Sequence, residues 1–195
     1  ESWQACAAFN PCVCKDGTRY HLLFRALSPE RSHYGAVLHV SSIGYACSSS
    51  PVDFPQPEPL IEPEEDWERY GCEDPRITFL EGTYYIFYTA LSSFPFEAPY
   101  IRVAVALTRD FNTIREKHLV TPFNAKAMAL FPERIDGQMV AVVTVDTDHP
   151  PAKIALARFE DESQIWSEPF WDAWYASLSS HVIPLLRNHR DHLEV

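Results

Sequence analysis

The sequence predicts an all-β fold of repeated short-strand units, the pattern of a β-propeller with about three blades present. Three observations predict it. Apolar segments alternate at period two and are rich in Val, Ile, Tyr, Phe and Thr, while helix-period segments are scarce. Sixteen prolines and six glycines cut the 195 residues into short pieces with fixed turns. One strand pattern also recurs. Gly17-Thr18-Arg19-Tyr20-His21-Leu22-Leu23-Phe24-Arg25-Ala26-Leu27 reads like Gly82-Thr83-Tyr84-Tyr85-Ile86-Phe87-Tyr88-Thr89-Ala90-Leu91, and returns more faintly as Gly137-Gln138-Met139-Val140-Ala141-Val142-Val143-Thr144-Val145.

Each copy is followed by a second alternating strand. In the first unit it is Ser42-Ile43-Gly44-Tyr45-Ala46-Cys47-Ser48, closed by Pro51-Val52-Asp53-Phe54. In the second it is Arg102-Val103-Ala104-Val105-Ala106-Leu107-Thr108, closed by Arg109-Asp110-Phe111, and in the third Lys153-Ile154-Ala155-Leu156-Ala157-Arg158. A unit of about four strands repeating every 50 to 65 residues or so is the sign of a propeller blade. Propellers close with roughly four to eight blades, and an open stack of three leaves unpaired edges. Residues 1–195 are therefore expected to form a single incomplete propeller domain, completed by a remainder of the propeller or by another copy. A β-sandwich with an accidental repeat is the competing architecture.

Hydrophobic residues make up 46% of the chain, ample for a core. The formal charge of -11 argues against nucleic acid, because phosphate backbones need clustered Lys and Arg. No apolar run approaches the roughly 20 residues of a membrane span, and no secretory leader opens the chain, so a cytoplasmic location is expected. Cys6, Cys12, Cys14, Cys47 and Cys72 are odd in number and lack a Cys-x-x-Cys pair. They read as buried free thiols in a reducing compartment, with no metal and no cofactor.

The stretch that carries chemistry is Tyr70-Gly71-Cys72-Glu73-Asp74-Pro75-Arg76, at the mouth of the second unit. Pro75 is expected to hold Asp74 extended, so that the backbone sets the direction of its carboxylate. Arg76 is a permanent charge suited to an oxygen-rich ligand. Alternation along a strand sends Glu73 to the other face, toward a structural role. The bland reading is a surface turn with an Asp-Pro initiator and an ordinary Asp–Arg pair.

Phe9-Asn10-Pro11, Leu22-Leu23-Phe24-Arg25-Ala26 and Ser41-Ser42-Ile43-Gly44-Tyr45-Ala46 resemble the opening of glycoside hydrolase family 130, five-bladed propellers that include β-mannoside phosphorylases and β-mannosidases. Gly71-Cys72-Glu73-Asp74-Pro75-Arg76-Ile77 is similar to the family's signature block, and Lys126-Ala127-Met128-Ala129-Leu130-Phe131-Pro132-Glu133-Arg134-Ile135 to its next one. The terminal His192-Leu193-Glu194-Val195 looks like the lead-in to a further block. The resemblance implies Asp74 as the general acid, Asn10 and Arg25 as sugar contacts beside the scissile bond, and Lys126 as a phosphate-binding cation. A phosphorylase would carry a second cation in a His-Arg-Pro-like run, where Val143-Thr144-Val145 stands here. That departure tilts the expectation toward a β-mannoside hydrolase, with the phosphorylase, using inorganic phosphate as co-substrate, as the alternative. An inactive or merely carbohydrate-binding propeller is the third reading.

Single displacement with inversion needs an acid near the leaving oxygen and a nucleophile on the opposite face. Glu133 and Glu73 are the in-chain candidates for a base or supporting carboxylate. Trp67, Tyr70 and Tyr88 could stack on a sugar, although most aromatics must pack the sheets. Asp146-Thr147-Asp148-His149 reads as a solvated loop, since it lacks the Gly and distal Glu of a calcium loop. His181, His189 and His192 fit no zinc spacing. Glu62-Pro63-Glu64-Glu65-Asp66 reads as a solvated acidic lead into the active-site turn.

Overall fold

The computed structural model describes residues 2–183. Eleven strands dominate them. The first unit comprises β1 (Ala7–Asp16), β2 (Arg19–His33), β3 (Ala36–Ser48) and β4 (Glu58–Ile61), an antiparallel meander. The second repeats it with β5 (Gly71–Leu80), β6 (Thr83–Leu91), β7 (Ile101–Thr108) and β8 (Glu116–Leu119). The third holds β9 (Ala125–Leu130), β10 (Met139–Val145) and β11 (Lys153–Phe159), and Val182 bridges Ala155 of β11, on the side where a fourth strand would lie. One parallel pair, Ser41 with Gly71, joins the first two units, and no sheet closes on itself.

The recurring glycine motif proves to be the turn into the middle of each unit. Glu81 and Gly82 have φ of 51° and 80°, and Asp136 and Gly137 have 53° and 81°. Both central residues are left-handed, as a two-residue type I′ hairpin demands, so glycine at the second is a geometric need.

Strand β6 shows why its sequence is apolar on both faces. All nine of its residues are buried. Tyr84, Ile86, Tyr88 and Ala90 pack toward the first unit with Leu23, Ile43 and Ile61. Tyr85 and Phe87 pack toward the third with Met128, Met139 and Trp171. Burying one such aromatic or aliphatic side chain contributes about 1.5–3 kcal/mol. Polar contacts pin the same layers: Tyr84 Oη donates to Asp16 Oδ2 at 2.8 Å, and Thr78 Oγ1 to the Leu130 carbonyl at 2.9 Å.

One helix, α1 (Glu168–Ala176), escaped the sequence reading. Its signals were present: Ser167 caps it by accepting from Phe170 N, Pro169 sits in its first turn, and Trp171 and Trp174 bury one face. Its nine residues are too few to outweigh the β patterning around them. No helix among the described residues is long and apolar enough to cross a membrane. The cysteines are free, but only Cys72 is buried; Cys6 is exposed, and Cys12, Cys14 and Cys47 are half-buried, which corrects the expectation of buried thiols. Among the described residues, no three His, Cys, Asp or Glu side chains converge as a metal site would require.

Candidate active site

The same irregularity interrupts the first strand of all three units. On β1 the pairing jumps from Phe9–Arg25 to Cys12–Leu23, on β5 from Glu73–Thr89 to Arg76–Phe87, and on β9 from Lys126–Thr144 to Ala129–Val142. Each jump is a bulge, with two residues opposite one. Its first residue is left-handed every time: Asn10 at φ 51°, Asp74 at 52° and Ala127 at 52°. Asp74 is therefore not extended, contrary to the expectation from Pro75. Asn and Asp tolerate the left-handed region through local hydrogen bonding, and an inserted residue needs a turn of that hand. Ala127 adopts it with no such help.

The three bulges converge on one cavity of about 530 Å³. Asn10, Pro11 and Cys12 line it from β1, Asp74 and Arg76 from β5, Thr89 from β6, and Lys126 with Ala127 from β9. Asp74 Oδ1 accepts from Asn10 Nδ2 at 2.7 Å and lies 3.5 Å from Arg25 Nη1. Arg25 also pairs with Glu73 Oε1 through Nη2, and its Nε donates to Ser41 Oγ at 3.0 Å. Ser41 Oγ donates onward to Glu73 at 3.0 Å, and the guanidinium covers the Phe9 ring at 4.8 Å. Glu73 and Asp74 thus both reach Arg25. Strict alternation would have separated them, and the bulge cancels it. Burial pushes the Glu73 carboxyl above its ordinary value, against the pull of Arg25 and Ser41.

The Arg76 side chain donates only to the adjacent Pro75 carbonyl, at 2.9 Å, and the Lys126 ammonium, whose charge acts on Glu73, makes no hydrogen bond to another described residue. Two cations therefore enter the cavity without a carboxylate of their own. Cys12 is no nucleophile, since burial raises its thiol to about 11.

Some expected residues lie elsewhere. Glu133 is exposed in the β9–β10 turn, at the far end of β9 from Lys126, so the structure does not bring it to Asp74. Its neighbour Arg134 carries that block's structural role, bonding Glu81 Oε1 at 2.7 Å and the Gly137 carbonyl at 3.1 Å. Tyr88 and Trp67 pack in the core between the first two units, and Tyr70 edges an aromatic cluster with Tyr34 and Phe94. None of the three lines the cavity. His181 stacks on Trp174, while His189, His192 and the terminal His192–Val195 block lie outside the described residues.

The acidic lead is exposed, yet it ends in Glu68, which is fully buried. Glu68 accepts from Lys117 Nζ at 2.8 Å, from the backbone N–H groups of Glu64 and Glu65, and from Tyr88 Oη. Burial lowers Lys117 and its carboxylate partners raise it, leaving it above its ordinary value.

Comparison with known proteins identifies the frame. The model of glycoside hydrolase family 130, described as β-1,4-mannooligosaccharide phosphorylase, matches residues 2–178. The chain belongs to glycoside hydrolase family 130. A 1,2-β-oligomannan phosphorylase of Thermoanaerobacter sp. (strain X514) is 31% identical over 167 residues, 84% of this chain and 53% of that protein. A β-1,2-mannobiose phosphorylase of the same organism is 30% identical over 71% of this chain and 47% of its own length. This family 130 chain thus spans about half the length of these relatives. Its fold resembles the β-1,2-mannobiose phosphorylase of Listeria innocua in complex with β-1,2-mannobiose, with a TM-score of 0.60 and 21% identity over 79% of this chain and 56% of that one. It also resembles a glycosyl hydrolase from Bacteroides ovatus, with a TM-score of 0.65 and 22% identity over 82% and 48%.

Proposed function

We propose that this family 130 chain carries the acid and part of the anion site of a β-mannoside phosphorylase, with its three units as blades of a five-bladed propeller around the Asp74 cavity. The observation that carries the reading is the pair Arg76 and Lys126, positive and without an ion pair among the described residues, in the same cavity as Asp74. A phosphate ion brings nearly two negative charges, and charge-assisted bonds to it contribute about 1.5–3 kcal/mol each. The relatives named as phosphorylases support the same side, and revise the hydrolytic tilt drawn from Thr144.

In this mechanism phosphate attacks the anomeric carbon from the face opposite the leaving group. The C1–O bond to the leaving sugar breaks as the C1–O bond to phosphate forms, with inversion. Asp74 supplies the proton that the leaving oxygen needs, directly or through a sugar hydroxyl. Asn10 and Arg25 hold the Asp74 carboxyl in place, and Glu73 anchors Arg25 rather than acting as a base. The substrate is a β-mannoside, with the β-1,2 linkage of the relatives as the first to test.

Hydrolysis is the second reading. Thr144 pairs across from Lys126 where a second cation was expected, which leaves the cavity less positive than a phosphate site needs. Product analysis on β-1,2- and β-1,4-mannobiose, with and without phosphate, separates the two. Phosphate-dependent mannose 1-phosphate, abolished by Asp74→Asn, is the expected result. Free mannose without phosphate would restore the hydrolase, and no product from either disaccharide would favour a binding or inactive propeller.

A further inference from the structure

Thr89 is 3% exposed, and its hydroxyl is the only buried side-chain oxygen without a hydrogen-bond partner among the described residues. It also lines the Asp74 cavity. Three other buried threonines are paired: Thr78 donates to Leu130 O, Thr108 to Thr113 O, and Thr121 accepts from Val103 N. A buried hydroxyl left unpaired is costly enough that it calls for an explanation.

The repeat supplies a second, independent observation. Thr89 stands directly across from Glu73, the residue before the bulge, as Arg25 stands across from Phe9 and Thr144 across from Lys126. In the first unit this register position sends a guanidinium to Glu73 and Asp74. The second unit aims the same position at the same cavity with a side chain too short to find a protein partner. Tyr88, one residue earlier, faces the opposite way and ends in the Glu68 pair. The strand thus separates a satisfied hydroxyl from an unsatisfied one by a single step of the pleat.

We propose that Thr89 is a ligand-positioning residue, whose hydroxyl bonds an oxygen of the substrate at the cavity floor. The inference rests on the reading of this cavity as a β-mannoside and phosphate site. Oγ1 is itself buried; a turn of about 120° around χ1 exchanges Oγ1 with Cγ2 between staggered wells, the movement by which the proposed bond would form with the backbone in place. A sugar hydroxyl and a phosphate oxygen offer the same acceptor chemistry, and kinetics tell them apart.

The test compares Thr89→Val and Thr89→Ser in the whole chain. Valine keeps the shape and deletes the hydroxyl, so its ligand-free Tm is expected to rise. Its KM for β-1,2-mannobiose or for phosphate is expected to rise roughly five- to tenfold, the size of one neutral hydrogen bond; the substrate affected identifies the oxygen. Serine is expected to keep a near-native KM. A valine variant with native kcat/KM for both substrates overturns the proposal. If the native chain turns over neither disaccharide, the functional reading fails on its own account. Titration calorimetry with mannose and inorganic phosphate then decides Thr89: weaker binding by valine supports the proposal, while equal affinity, or no binding of either probe to the native chain, overturns it.

Discussion

Two charged clusters lie on opposite faces of β6, where Tyr88 reaches one and Thr89 lines the other, and they are finished in opposite ways. Behind β6, every donor and acceptor of the Glu68–Lys117 knot is used. Both Glu68 oxygens are taken, and Lys117 reaches Glu68, Glu64 Oε2 at 3.0 Å and the Glu62 carbonyl at 3.2 Å. In front, the cluster is closed only at its base, where Arg25, Ser41 and Glu73 satisfy one another. Toward the cavity, Arg76, Lys126 and Thr89 are left over. A fold that can close a buried charge this completely at Glu68 leaves charges open at the cavity, as the proposed ligand site requires. Satisfaction, rather than charge count, distinguishes the structural cluster from the one proposed to bind a ligand.

The largest effect should come from breaking the closed cluster. Lys117→Met strands a carboxylate with no exposure, and removing one partner of a buried pair costs about 3–5 kcal/mol. For a chain of this size each kcal/mol moves Tm by about 2–4 °C, so thermal unfolding should shift by roughly ten degrees. A shift within a degree or two would mean that the knot is not a buried ion pair.

The same substitution at the open cluster should do the reverse. Lys126→Met removes a cation that no described residue bonds, so stability should change by about 0.5 kcal/mol or less. The KM for phosphate should rise about ten- to hundredfold, with KM for the mannoside less affected. Unfolding by several degrees with an unchanged phosphate KM would erase the distinction between the two clusters.

What was legible in the sequence follows the same division. The β-branched and aromatic run Thr83–Leu91 and the Gly82 and Gly137 turns are local properties, and the structure carries them as β6 and two type I′ turns. The cavity residues Asn10, Asp74, Arg76 and Lys126 were found by motif, and they do meet. Their conformation was hidden because a bulge is a property of pairing, and pairing is set by the partner strand. Pro75 argued for an extended Asp74; the extra residue between the Glu73–Thr89 and Arg76–Phe87 pairs requires a left-handed one. Ala127 takes that hand against its own preference, so no propensity could have announced it. Glu133 was misjudged for a related reason: proximity in sequence to Lys126 says nothing about which end of β9 a residue occupies. Thr89 offered no signal at all, since its meaning lies in a missing partner.

The subtlest way to sharpen the comparison is pH, through Glu73 at the closed base of the site. Burial raises its folded-state pKa above the unfolded value. A carboxyl shifted in that direction contributes stability that is fully present below its unfolded pKa, about 4.3, and lost as pH rises through the folded value. Arg25 opposes the shift, so Arg25→Met should lift the Glu73 pKa further and extend that loss to higher pH. The Tm difference between native chain and variant should therefore widen as pH rises from about 4 toward about 7, and nearly vanish at the acid end. Adding Glu73→Gln to the Arg25→Met chain should reduce the pH dependence of the difference, because the Glu73 carboxyl no longer titrates while Asp74 remains beside the site. A difference constant with pH would mean that Arg25 does not act on the Glu73 carboxyl, and the base of the site would no longer count as a closed charge cluster.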